Sequence, residues 1–245
     1  MGRWLVGIDD TDNLDSRGTG HRARQLGEVL TAVGLSTLGI TRHQLLVDPR
    51  IPYTSHNSSA CLDVACGLER EGDLVELCRE FLLRESAPGS DAGLCVARWE
   101  QAGQDVLAFG QRAKVDVLVA GEAETLARAS SIHLEGLTGT RIGVIGALAG
   151  VGLRAGGNDG RFLWLPGLRD LRGVFQAAAL AGQLGLDGIE TEGGQAARPD
   201  DRIRFGEWAR PIPRKGRVVL LVEAAADEDC EWAVISKTRI KELSG

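Results

Sequence analysis

Three carboxylates fall within four residues at Asp9-Asp10-Thr11-Asp12, directly after the apolar run Trp4-Leu5-Val6-Gly7-Ile8. Adjacent acids at the end of a buried segment repel one another unless water, a helix dipole or a cation neutralises them. Hard oxygen donors of this kind suit Mg²⁺, which takes one or two carboxylates and leaves its other positions to water and phosphate oxygens. Asp9, Asp10 and Asp12 are therefore candidate metal ligands, and Asp9 and Asp10 candidate catalytic residues. Thr11 is a candidate cap or a hydroxyl supporting the ligands. The competing reading of the same stretch is an acidic turn in which Asp12 or Asn13 caps a helix.

The turn Ser16-Arg17-Gly18-Thr19-Gly20 follows at once and opens a helical pattern. Backbone N–H groups of Gly18, Thr19 and Gly20 would face phosphate oxygens at the start of that helix; glycines that merely permit the turn would look the same. His21 sits in the first helical turn, where the dipole disfavours imidazolium, so it reads as a nucleophile, a base, a phosphate contact or a surface histidine. Arg22 is a phosphate contact or a solvated side chain. Farther on, Gly139, Arg141 and Gly143 precede the small-residue stretch Val144-Ile145-Gly146-Ala147-Leu148-Ala149-Gly150. Small residues at three- and four-residue spacing let a helix pack closely on its neighbours, while Gly139, Arg141 and Gly143 before it are candidates for ligand contact. His43 and His133 read as core-edge residues, and 210–215 as a basic exposed turn.

These residues need elements to position them. The apolar run at 4–8 predicts a buried strand and 18–33 an amphipathic helix. Strands are expected at 36–46, 58–64, 93–98, 162–165, 202–205 and 218–223, and helices at 71–84, 101–112, 120–130, 144–152 and 174–184. The prolines of Asp48-Pro49-Arg50-Ile51-Pro52-Tyr53 demand an extended loop. Alternating strands and helices with a strand-rich end indicate an α/β (α+β) fold. A length of 245 residues, 43% hydrophobic and 25% charged, is ordinary for a globular chain. A net charge of −6 argues against a chain-wide electrostatic grip on nucleic acid, though not against a local basic groove. The N-terminus lacks the pattern of a secretory signal, and no apolar stretch is long enough to span a bilayer. The five cysteines form no CxxC pair, so no zinc site is expected and the chain reads as a reduced, cytoplasmic protein.

Taken in order, Gly7-Ile8-Asp9-Asp10-Thr11-Asp12, Arg17-Gly18, Pro49-Arg50-Ile51-Pro52-Tyr53, the loop His56-Asn57-Ser58-Ser59-Ala60 and Ile145-Gly146-Ala147-Leu148-Ala149-Gly150-Val151-Gly152 resemble the catalytic region of the archaeal isoleucine-tRNA agmatidine synthetase family. The resemblance covers roughly residues 4–165. It implies ATP and Mg²⁺ as cofactors, a kinase-like nucleotide-binding region at 1–86 and a ferredoxin-like region at 87–170; the strand pattern adds a β-rich portion at 171–245, either separate or completing the first domain. It also makes Asn57 and Ser58 candidate nucleotide contacts. The implied activity is that of an ATP-dependent phosphotransferase or ligase, with RNA or a small molecule as acceptor. The alternatives are a nucleotide-sensing module without turnover and a tRNA-modifying enzyme that borrows a tRNA-binding partner. Two departures stand out: His21 occupies the register of the family's autophosphorylated threonine, with Thr19 two residues away, and the family's OB-fold and zinc ribbon have no counterpart in this sequence.

Overall fold

The run at residues 4–8 is apolar throughout because it forms the middle strand of a sheet. β1 (Gly2–Asp9) pairs antiparallel on one edge with β3 (Ser58–Cys66) and on the other with β4 (Gly93–Arg98). β2 (Ser36–Gln44) pairs with the outer edge of β3, and β5 (His133–Gly136) with that of β4. The computed structural model describes residues 2–52, 54, 56–206, 208–226 and 229–244, so Tyr53 of the proline loop lies outside the described residues. The chain divides into two units, Met1–Gly156 and Gly157–Gly245. It has the mixed α/β (α+β) fold expected, with two sheets and their helices.

In the first unit the strand order is β5-β4-β1-β3-β2. α1 (Thr19–Ala32) lies against β2 and β3 and touches α2 (Glu71–Glu85). α5 (Val144–Gly156) crosses β1, β3 and β4, and α3 (Gln104–Arg112) and α4 (Ala120–Ala129) pack on it. The small residues explain how close α5 lies. A methyl group on Gly7 would stand 2.1 Å from the carbonyl oxygen of Ala147, and one on Gly152 would stand 2.1 Å from that of Val106. Leu5 of β1 shares a buried cluster with Ala147, Leu148 and Val151 of α5. Side chains alternate along a strand, so Gly7 and Asp9 face the same way as Leu5. The last residue of β1 is thereby delivered toward the start of α5.

The other end of α5 is fixed by charge. Asp63 on β3 is buried and accepts from Arg3 at 2.9 and 2.5 Å and from Arg154, in the last turn of α5, at 2.8 Å. The Trp99 ring lies 3.6 Å from the Arg3 guanidinium and 5.4 Å from that of Arg154. A cation in the last turn also complements the helix dipole.

The second unit contains β6 (Arg161–Trp164), β7 (Gly173–Gln176), α6 (Ala177–Leu184), β8 (Gly188–Glu190), β9 (Arg202–Phe205), β10 (Ile212–Arg214), β11 (Arg217–Ala224), β12 (Trp232–Val234) and α7 (Lys237–Leu243). Its sheet runs β10-β11-β12-β9-β7, with β8 parallel to β11. Lys215 (φ 53°) and Gly216 (φ 75°) make the tight turn between β10 and β11, the two left-handed positions such a hairpin requires. The helix expected over 174–184 starts only at Ala177, because Val174 and Phe175 pair with β9 instead. Phe175 meets Phe205 edge to face at 6.4 Å, and β-branched and aromatic residues favour that pleated setting. Positions 86 and 170 fall between α2 and β4 and between β6 and β7, each inside one unit. Among the described residues no helix is long and apolar enough to cross a membrane. Cys61, Cys66, Cys78 and Cys95 are buried thiols.

Candidate functional site

At the end of β1 the chain turns sharply: Asp10 adopts φ 50°, a left-handed conformation uncommon outside glycine and tolerated by aspartate. Asp9, Asp10 and Asp12 then line a cavity of about 340 Å³ in the first unit, together with Thr19. Aliphatic residues make much of the remaining wall: Leu45, Ile51 and Pro52, Val117 to Val119, Ile142 and Ile145. Arg50 is the one guanidinium among the described lining residues, and it forms a two-point pair with Asp48 at 2.8 Å per contact. That pair, on the surface, holds the Asp48 carboxyl down at about 2.

The carboxylates are not equivalent. Burial, then the charges of Asp10 and Asp12, push the Asp9 pKa up to about 8, although its carboxylate accepts the backbone N–H of Asp10. Asp10 is pushed up to about 6 by burial and by Asp91 and Asp12, with the Asp91 backbone N–H acting the other way. Neither makes an ion pair with a described cation. Asp12 is tied differently: its Oδ1 accepts from Thr19 Oγ1 at 2.9 Å and its Oδ2 from Thr54 Oγ1 at 2.9 Å. Thr19 is buried and also stands 3.2 Å from Thr11 Oγ1. One carboxylate therefore clamps the start of α1 to the proline loop while two others stay electrostatically unsatisfied.

The chain is structurally similar to TiaS, an agmatidine synthetase acting on an isoleucine tRNA. Against TiaS bound to that tRNA and ATP the TM-score is 0.55 at 28% identity, covering 62% of this chain and 36% of that one. Against TiaS with the tRNA, AMPCPP and agmatine the TM-score is 0.54 at 27% identity, covering 62% and 36%. A tRNA fluorescent labelling enzyme gives 0.55 at 28% identity, covering 61% and 36%. The chain thus spans about a third of the length of these proteins, and the similarity is that of a distant relationship. No protein-family model matches the chain, and no curated protein sequence does.

Seven of the residues singled out in the sequence meet at this cavity: Asp9, Asp10, Asp12, Thr19, Asn57, Ser58 and Gly143. Asn57 is already employed, its side-chain N–H donating to the Leu46 carbonyl at 2.6 Å. Seven others do not line the cavity. Thr11 is buried behind Thr19. Gly18 is the N-cap of α1 and makes no side-chain cap, so neither Asp12 nor Asn13 caps that helix; Gly20 lies in its first turn. Arg22 reaches Gln25 at 2.9 Å and Glu85 at 3.4 Å. His21 has its Nδ1 3.4 Å from an Arg24 nitrogen, and burial and the charges of Arg17, Arg24 and Arg22 lower its pKa. The shift runs in the direction expected from the helix dipole, but its causes are burial first and the neighbouring arginines after it. Gly139 (φ 53°) and Arg141 (φ 68°) shape the loop before α5, where Asp91 Oδ1 accepts the Thr140 N–H.

Three contributors were not singled out as site residues. Asp91 raises the Asp10 pKa and its carbonyl accepts the Gly143 N–H at 3.1 Å. Thr54 anchors Asp12, and the loop from Asp116 to Val119 forms the aliphatic wall. Only the apolar cluster Val117-Leu118-Val119 carries a local signal. Among the described residues no group of three or more His, Cys, Asp or Glu side chains is arranged as a metal cage. Mg²⁺ needs only one or two protein carboxylates. Asp9 and Asp10 fit that need as hard oxygen donors; their pKa values are raised by burial first and by neighbouring carboxylates after it, and neither is paired with a described cation.

Proposed function

We propose that the first unit binds a nucleoside triphosphate, ATP, with Mg²⁺ and acts as an ATP-dependent phosphotransferase or ligase. The observation that carries the reading is the pairing of two uncompensated carboxylates, Asp9 and Asp10, with a buried hydroxyl, Thr19, that donates to a third carboxylate in the same cavity. Asp9 and Asp10 would hold the metal, which when bound neutralises charge developing on the phosphates. The aliphatic wall at Val117 to Val119, Ile142 and Ile145 would receive the base and exclude water. Gly143, which lines the cavity ahead of α5, would let the main chain approach the nucleotide.

Thr19 and Asp12 have the geometry of a nucleophile and its base, at 2.9 Å. In that role the Thr19 oxygen attacks the γ-phosphorus, the bond from that phosphorus to the bridging oxygen breaks, ADP leaves, and the Asp12 carboxylate takes the hydroxyl proton. His21, two residues on, does not line the cavity. The structural similarity to TiaS, which has been solved in complex with ATP and its isoleucine tRNA, supports nucleotide chemistry and makes RNA a candidate acceptor beside a small molecule.

The deciding experiment incubates the protein with Mg²⁺ and γ-labelled ATP and separates the products. ADP identifies phosphoryl transfer and AMP with pyrophosphate identifies an adenylating ligase. Tight binding without products identifies a nucleotide sensor, and no binding refutes the reading. Label on the protein that survives in wild type and vanishes in Thr19→Val would assign the acceptor hydroxyl.

A further inference from the structure

Two glycines at α5 face backbone. A methyl group on Gly143 would stand 2.3 Å from the Asp91 carbonyl oxygen, and one on Gly152 would stand 2.1 Å from that of Val106. Gly146, in the first turns of α5, meets something else. Its methyl group would lie 1.7 Å from Oδ2, 2.4 Å from Cγ and 3.0 Å from Cβ of Asp9, and these are its three nearest neighbours. The site of any side chain at position 146 is thus filled by one carboxylate. The main chain itself does not require glycine there, because Gly146 is helical and is not among the residues with positive φ. Glycine inside a helix costs about 1 kcal/mol relative to alanine. At this position the vacancy is occupied by the Asp9 side chain rather than by backbone.

We infer that Gly146 is a positioning residue for Asp9. By leaving its Cβ position vacant it lets the Asp9 carboxylate lie flat on the start of α5, the placement from which the metal-bound triphosphate is held. This inference rests on the nucleotide reading of the cavity. An alanine would force the Asp9 carboxylate to rotate away toward the cavity that Asp9 lines, while Asp9 Cβ, at 3.0 Å, would have to give by only a few tenths of an ångström.

The test compares the full chain with its Gly146→Ala and Gly152→Ala variants, by thermal unfolding without metal and by calorimetric titration with Mg²⁺·ATP. Mn²⁺ in place of Mg²⁺ gives a spectroscopic readout of metal occupancy. Gly146→Ala should unfold at or above the wild-type temperature yet lose about tenfold or more in Mg²⁺·ATP and Mn²⁺ affinity, the scale seen when a group that orients a metal ligand is removed. Gly152→Ala should do the reverse, unfolding at a lower temperature while its folded form keeps wild-type affinity. A lowered unfolding temperature for Gly146→Ala would make it a packing glycine and overturn the inference. So would wild-type affinity in that variant while Asp9→Asn fails to bind. If wild type itself binds neither Mg²⁺·ATP nor Mn²⁺, the nucleotide reading falls first and takes the inference with it.

Discussion

Replacing Asp9 with asparagine should stabilise the metal-free protein and weaken nucleotide binding at the same time. The carboxyl is moved from an ordinary value of 3.8 to about 8, by burial and then by Asp10 and Asp12. A carboxyl whose pKa rises on folding binds its proton more tightly when folded. Its contribution is fully present below about pH 4 and is lost as the pH climbs toward 8. At about 1.4 kcal/mol for each pH unit, the ceiling is about 6 kcal/mol. Asparagine keeps the shape and can still accept the Asp10 N–H, but its amide must also leave water, so the net gain at pH 8 is about 1–3 kcal/mol. For a chain of this size that is an increase of roughly 3–9 °C in unfolding temperature. The assay is thermal unfolding of wild type and Asp9→Asn at half-unit steps from pH 4 to 8.5 in a chelator, repeated with excess Mg²⁺. The variant's advantage should be near zero at pH 4, grow with pH, and shrink when Mg²⁺ is added to both proteins. An advantage that is absent at pH 8, or constant across the range, would refute the electrostatic account of this site.

Three further outcomes are expected. Thr19→Val, which keeps the side-chain volume but leaves Asp12 Oδ1 without its donor, should retain Mg²⁺·ATP binding within a few-fold and lose phosphoryl transfer by about a hundredfold or more, as single-turnover kinetics would show. His21→Ala should leave ATP turnover within about threefold of wild type; a loss of about a hundredfold, the scale of general-base catalysis, would return His21 to the reaction. Asp63→Ala, which removes the carboxylate shared by Arg3 and the buried Arg154, should cost about 3–5 kcal/mol by denaturant unfolding, whereas an effect under about 1 kcal/mol would show that the pair is solvated.

What was legible in the sequence was local. An apolar run closing on three acids announces a strand whose end carries charge, and β1 places Asp9, Asp10 and Asp12 in one cavity as that pattern requires. The small residues of α5 announced close packing, and Gly152 meets Val106 accordingly. Asp91 was not legible, because its place beside Asp10 comes from the pairing of β4 with β1, which sets Asp9 opposite Gly93 across more than eighty positions of chain. No local property of Asp91 encodes that neighbour. The Val174–Gln176 segment failed for a related reason: alanines immediately downstream extended a helical pattern backward over residues that β9 recruits into the sheet.

At the histidine, the sequence register and the helix face point to different residues. Counting along the chain puts His21 where a related family keeps an acceptor, and only two positions separate it from Thr19. On an α-helix, however, successive residues turn by about 100°, so residues two apart point to nearly opposite sides. Thr19 Oγ1 faces Asp12 and the cavity. His21 must then face away from it, and it is found beside Arg24. A hydroxyl at position 19 and a ring at position 21 leave the helix on different sides, and of the two only Thr19 lines the cavity, which is why the proposed reading gives the acceptor role to Thr19. The same reasoning links Gly146 to Asp9. Strand alternation aims the carboxylate at α5, and at that point of the helix only a residue without a side chain can receive it.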